Sequence, residues 1–213
     1  MNIQNRKIHN ILLSVLLYFA LACLPAYASN SKTSPNKPST GSISTNTASH
    51  DPELRSLLIK AVSTSDSFED RFDAEVWLLD MSTRLKHKIK DTKKRLEFLR
   101  HVHYESARVN VSPQIVLALI QVESNFDEYA ISTAGARGLM QVMPFWLKEI
   151  GRVNDNLFNI RTNLRFGCTI LRFYLDKEKG NITRALARYN GSVGSYRYTT
   201  KVFSALDKRW TLR

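Results

Sequence analysis

The chain has 213 residues, enough for one sizeable domain with additions at its ends. An apolar share of 43% and a charged share of 23% are ordinary for a globular protein and exclude a wholly disordered one. Its 31 Lys and Arg against 19 Asp and Glu leave a charge of +12, which favours anionic partners, although each scattered cation taken singly reads as a solvated surface group.

The first residues have the parts of an export signal. Arg6 and Lys7 are positive, Ile11 to Leu24 is apolar but short for a membrane span, and Ala26-Tyr27-Ala28 is a small-x-small cleavage site. Residues 1–28 are therefore expected to be a signal peptide, with Ser29 first in the mature chain; an uncleaved anchor is the alternative. Cys23 raises another alternative, acylation and membrane association through a lipid anchor, although Ala20-Leu21-Ala22 matches that pattern poorly. If Cys23 leaves with the signal, Cys168 is the one cysteine left and no internal disulfide can form. Loss of Arg6 and Lys7 takes the charge from +12 to +10. The expected location is the periplasm or cell envelope, where an anionic wall polymer or a lipid headgroup surface is the natural partner of a basic protein, and nucleic acid is not.

Residues 29–51 are rich in Ser, Thr, Asn, Lys and Pro, with Ile43 their one large aliphatic, and are expected to form a disordered tether. Helical patterning starts at Pro52. Residues 52–105 form an extension in which Pro52 to Ser63 is a short amphipathic segment. Ser67 can cap a helix to about Lys90 with Phe72, Val76, Leu79 and Leu85 on one side. Asp91 can cap the next, carrying Leu96, Leu99, Val102 and Val109, while Trp77, Phe98 and Tyr104 are expected to pack the extension against the rest.

Ser112-Pro113 opens a helix that is apolar nearly all round and hence central; it ends at Glu123. A carboxyl at the edge of such a run should have a raised pKa, which is what a general acid needs at neutral pH. Asn125 to Gly138 reads as a loop, Leu139–Val142 as a short helix, and another helix starts at Pro144. Asn159 caps a helix to about Lys179, Thr183 caps Arg184 to Tyr189, Gly191 to Gly194 is a turn, and Lys201 to Leu206 is the last helix. The fold class is all-α, one domain of roughly 140 residues, which is long enough for a real core. Residues 106–213 follow the extension as its C-terminal part, and a monomer is expected.

Several residues have chemistry suited to a sugar. Gly138 leaves room for a ring to approach the backbone, Gln141 has donors and acceptors for an N-acetyl or hydroxyl group, and Met140 is an adaptable apolar contact that is more often core. Tyr189 and Asn190 stand where a helix breaks towards Gly191, and Ser124 either binds or braces the turn after Glu123. His101, His103 and Glu105 do not share a helix face, so no metal site and no cofactor are expected.

Glu123-Ser124, Gly138-Leu139-Met140-Gln141, Asn159-Ile160 with Gly167 and Tyr174-Leu175, and Ala187-Arg188-Tyr189-Asn190-Gly191 resemble, in order, the motifs of soluble-type (SLT) lytic transglycosylases of family 1 in the lysozyme-like superfamily. The resemblance covers about Ser106 to Val202. It implies a lysozyme-like helical fold with residues 106–213 as the catalytic domain, peptidoglycan as substrate and Glu123 as the single catalytic acid and base. It also implies Ser132 at the muramoyl N-acetyl group, with Gln141, Tyr189 and Asn190 in the same cleft. The reaction it implies leaves 1,6-anhydro-MurNAc ends; Asp127, four positions after Glu123, is not needed as a second carboxylate. Arg188 and Gly191-Ser192 depart from the family pattern, and Arg188 is either a contact for an acidic stem peptide or a solvated helix residue. The alternatives are a hydrolytic, lysozyme-type muramidase and a non-catalytic wall-binding module.

Overall fold

The computed structural model describes residues 70–151 and 154–211. The expected signal peptide, Cys23, the tether, the Pro52 to Ser63 segment and the cap at Ser67 lie outside the described residues. Among those described there are seven α-helices and no sheet, so the chain is mainly helical. They are α1 (Arg71–Leu85), α2 (Thr92–Arg108), α3 (Pro113–Glu123), α4 (Phe145–Ile150), α5 (Ile160–Lys177), α6 (Ile182–Tyr189) and α7 (Arg197–Ala205), followed by a π-helical turn (Leu206–Trp210).

Short polar side chains start these helices by satisfying backbone N–H groups that have no partner inside the helix. Asp70 accepts from Phe72 N and Asp73 N, Asp91 from Lys94 N, and Asn159 from Thr162 N. Asn181, not Thr183, caps α6, accepting from Arg184 N. The last helix begins earlier than Lys201, at Arg197, and its continuation carries Trp210 into the core.

α3 is the central element. Val116 through Ile120 have no exposed surface, and the helix packs against α2, α7 and the π-turn. α5 packs on α2 and α6, and α1 packs on α2. The face that α1 buries is Ala74, Trp77, Leu78, Met81 and Leu85. Phe72 and Val76, expected on that face, are exposed, because the helix is turned so that the i, i+3, i+4 stripe starts at Ala74. Phe98 packs against Phe126 as expected, Trp77 is buried against His103 within the extension, and Tyr104 is exposed. Cys168 is fully buried, and burial pushes its thiol pKa up.

The segment Leu139–Val142 is not a helix. Arg137 pairs with Val142 through two N–H···O bonds of 3.0 Å, and isolated bridges join Ile131 to Arg137 and Arg137 to Val142. Gly138 (φ 71°) and Gln141 (φ 48°) are both left-handed, which closes a tight turn instead of propagating a helix.

Candidate active site

Glu123 is the last residue of α3. The chain leaves the helix through Asn125 (φ 51°) and Phe126 (φ 71°), two successive left-handed residues. Asn tolerates this conformation; for Phe it is strained, and the surrounding packing must hold it. The Phe126 ring sits 6.1 Å from that of Phe98 and 5.6 Å from that of Trp210, which anchors it. The sharp exit leaves Glu123 at the helix edge, partly open to solvent.

Burial pushes the Glu123 carboxyl up to about 7; the Tyr198 hydroxyl, donating to Oε1 at 2.5 Å, acts in the opposite sense by favouring the charged form. No cation takes part. Because Tyr198 occupies Oε1 as an acceptor, the proton of the neutral acid belongs on Oε2, the oxygen left to donate. Burial and the nearby Glu123 charge hold the phenols of Tyr189 and Tyr198 well above their ordinary pKa, so both remain neutral donors.

The polar loop after α3 is bolted to the body by neutral hydrogen bonds. Ser124 Oγ donates to Leu139 O at 2.8 Å, and Tyr189 OH donates to Met140 O at 2.7 Å. Asn163 on α5, 1% exposed, accepts from Met140 N at 2.8 Å and donates to Arg137 O and Leu157 O at 2.9 and 2.8 Å. One buried amide thus satisfies three backbone groups of a segment with no regular ladder. Gly138 is required by this packing: a Cβ there would lie 2.5 Å from Asn163 Nδ2 and from Leu157 O. The space expected to admit a sugar ring at Gly138 is therefore filled by the protein itself.

The expected site residues fall into groups. Glu123, Ser124, Met140 and Tyr189 are linked through the loop hydrogen bonds and the charge of Glu123 on Tyr189. The Met140 side chain is fully buried and packs where a Cβ on Gly167 would clash with it, so it has no surface for a glycan. Its backbone carbonyl, holding Tyr189, is its contribution. Gln141 is partly exposed, and its amide Nε2 donates to Ala130 O and Gly138 O, leaving its Oε1 with no donor among the described residues. Ser132 Oγ accepts from Ala136 N at 3.0 Å in the neighbouring turn, and Asn190 is the partly exposed C-cap of α6. Asp127 Oδ1 accepts from Tyr129 N at 2.9 Å, bracing its own turn.

His103 packs edge-on against Trp77, His101 lies 3.8 Å from Glu97, and Glu105 accepts from Arg108 Nε at 2.7 Å, so the three have different partners. Arg188 is not simply solvated: its Nε donates to Glu178.

Two residues central to this geometry escaped the sequence reading. Tyr198 is 75 positions from Glu123. Asn163 left a weak signal, an amide of poor helix propensity on the apolar side of a helix that buries Leu164, Gly167 and Cys168 around it.

The described residues thus present a partly exposed carboxyl whose pKa is raised to about 7 with no cation beside it, the kind of group from which general acids and bases are drawn. The comparison with protein families makes this specific: residues 101–210 match the transglycosylase SLT domain, and the chain belongs to that family. Among curated relatives it is 31% identical over 109 residues to a transglycosylase of Enterobacteria phage PRD1, covering 51% of this chain and 40% of the phage protein. It is 33% identical over 119 residues to membrane-bound lytic murein transglycosylase C of Yersinia pestis and of Yersinia pseudotuberculosis, covering 48% of this chain and 33% of each relative. The chain therefore spans 40% or less of the length of these relatives.

Proposed function

We propose that this protein is a peptidoglycan lytic transglycosylase that cuts the MurNAc-β-1,4-GlcNAc bond with one carboxyl group. The observation that carries the proposal is Glu123, an acid with a pKa of about 7 whose Oε1 is held by a neutral tyrosine. Common glycosidases divide the work between two carboxyls. Here one does both in turn. Protonated Glu123 donates from Oε2 to the bridging oxygen, the C1–O bond breaks, and the neighbouring N-acetyl oxygen stabilises C1. Glu123, now a carboxylate, takes the proton from the C6 hydroxyl of the same muramoyl unit, and O6 closes on C1. The acid is restored, no water is consumed, and the balance needs no metal or organic cofactor.

Tyr198 orients the carboxyl and remains neutral throughout. Ser132, Gln141, Tyr189 and Asn190 are assigned to the glycan, with Gln141 Oε1 as acceptor and the exposed side of Asn190 as a second polar contact. Ser124 acts through the loop it braces. The export signal at residues 1–28 puts the enzyme in the periplasm or cell envelope, as a soluble protein or anchored at an acylated Cys23; the mass of the mature N-terminus separates the two.

Digestion of purified sacculi followed by mass spectrometry tests the reaction. Products one water lighter than hydrolysis gives are expected, and they should vanish with Glu123→Gln. Reducing muramic acid ends would make the enzyme a hydrolase, and full function in Glu123→Gln would make it a wall-binding module.

A further inference from the structure

Away from the Glu123 carboxyl, the described residues enclose a concavity with chemistry of its own. It encloses about 360 Å³ between α6 and the loop that runs from Asn190 to α7. Arg184, Arg188 and Ala187 line it from the helix; Val193, Gly194 and Tyr196 line it from the loop. Its two walls are the segments that carry Tyr189, one residue after Arg188, and Tyr198, two residues after Tyr196.

The charge in this groove is unbalanced by design of the fold. Glu178, 8% exposed, is the one acid lining it. Its Oε2 lies 2.8 Å from Arg184 Nε, and its Oε1 accepts from Arg188 Nε. Two guanidiniums on one carboxylate leave one net positive charge. Both arginines engage Glu178 through Nε, and their terminal Nη groups make no hydrogen bond to the described residues. Like charges at i and i+4 destabilise a helix, and a cation in the first turn of α6 opposes its dipole. Glu178 fixes the two side chains in place, which lowers the entropy lost when their free donors meet an anion. The opposite wall is apolar and aromatic, with Val193 52% and Tyr196 75% exposed, and a Cβ on Gly194 would meet nothing within 4 Å.

We infer that this groove binds an acidic peptide, taking a carboxylate on the Nη groups of Arg184 and Arg188 and an aliphatic peptide side chain against Val193 and Tyr196. This rests on the proposed reaction in naming the ligand: the carboxylate-bearing stem peptide attached to the muramoyl unit in the neighbouring site. The groove thereby makes the enzyme select strands that carry acidic peptides over bare or amidated ones.

The free dipeptide L-Ala-γ-D-Glu and its fully amidated form are the first probes, titrated into the wild-type protein and followed by calorimetry. The acid form should bind at least about tenfold more tightly than the amide, the worth of one charge-assisted hydrogen-bond pair. Arg184→Glu, at a side chain 70% exposed, should erase that preference. It should also lower the ratio of kcat/KM on peptide-bearing strands to kcat/KM on amidase-stripped strands about tenfold. Arg184→Gln should shift the ratio the same way by less, which guards against a folding defect in the charge reversal. Equal binding of acid and amide, no binding of either, or an unchanged ratio in both variants would overturn the inference. Discrimination between acid and amide by a protein that makes no anhydro ends would sustain the groove and sink the enzymatic proposal alone.

Discussion

Glu123 and Glu178 each stand at the C-terminal end of a helix, and the protein treats them in opposite ways. Around Glu123 the partners are neutral: burial raises its pKa to about 7, and a phenol is its hydrogen-bond donor. Around Glu178 the partners are guanidiniums: the hydrogen bond from Arg188, with the charges of Arg188 and Arg184, holds its pKa below the usual carboxylate range. One residue type gives a proton reservoir in the first corner and a permanent anion in the second. What decides is whether a cation accompanies the carboxyl out of water.

The sharpest way to break this contrast is to remove the reservoir. Glu123→Gln should lower the yield of anhydro ends by on the order of 10³–10⁴-fold with an unchanged circular dichroism spectrum, since one group supplies both proton transfers. In the wild type, kcat/KM should fall as pH rises through about 7, where the first step loses its acid.

Next comes stability. A carboxyl whose folded pKa is raised from 4.5 to about 7 stabilises the fold below pH 4.5 and loses that contribution as pH rises to 7. Urea melts of wild type and Glu123→Gln should therefore diverge by roughly 3 kcal/mol over that window, with the wild type losing ground as pH rises. The sign for Glu178 is reversed: its pKa is depressed, so its contribution is present at neutral pH and disappears on acidification.

Asn163→Ala removes the side-chain partner of Met140 N and Leu157 O and one of the two donors to Arg137 O, and should cost about 2 kcal/mol in a denaturant melt, with little dependence on salt. Tyr198→Phe removes the bond that favours ionised Glu123, so the alkaline limb of the pH–rate profile should move to higher pH, with a rate loss of about tenfold or less. The smallest expected effect separates the corners by ionic strength. Going from about 0.1 to 1 M salt shortens the screening length from about 10 to 3 Å, which should weaken acidic-peptide binding while leaving the limb near pH 7 in place.

Much of the scaffold was legible because its signals are local. Asp91 and Asn159 cap the helices expected of them, and Pro113 after Ser112 opens α3, although Ser112 Oγ donates to Gln114 instead of capping. The acid was legible for a similar reason: the apolar run from Ile115 to Val122 announces a carboxyl that must ionise with difficulty. Errors arose where partners are distant or two signals compete. Thr183 lost to Asn181, which comes directly after the left-handed Gly180 and whose side-chain carbonyl accepts from Arg184 N. Leu139–Val142 looked helical by composition, yet the buried amide of Asn163, 23 positions from Met140, holds it as a turn. Phe72 and Val76 have the right spacing for a buried stripe, but nothing in the local pattern says which stripe of α1 meets α2. The Tyr198–Glu123 bond spans 75 positions, and no periodicity records such a pair.

Trp210 offers a last consequence. It is fully buried, its indole Nε1 donates to Gln121 Oε1 at 2.8 Å two residues before Glu123, and its ring lies against Phe126 just beyond that residue. The indole thus brackets the Glu123 turn on both sides. With Trp77 and Trp146 replaced by Phe it becomes an optical reporter: its emission maximum and quenching should register any shift of the α3 terminus when a glycan is added, with no label introduced.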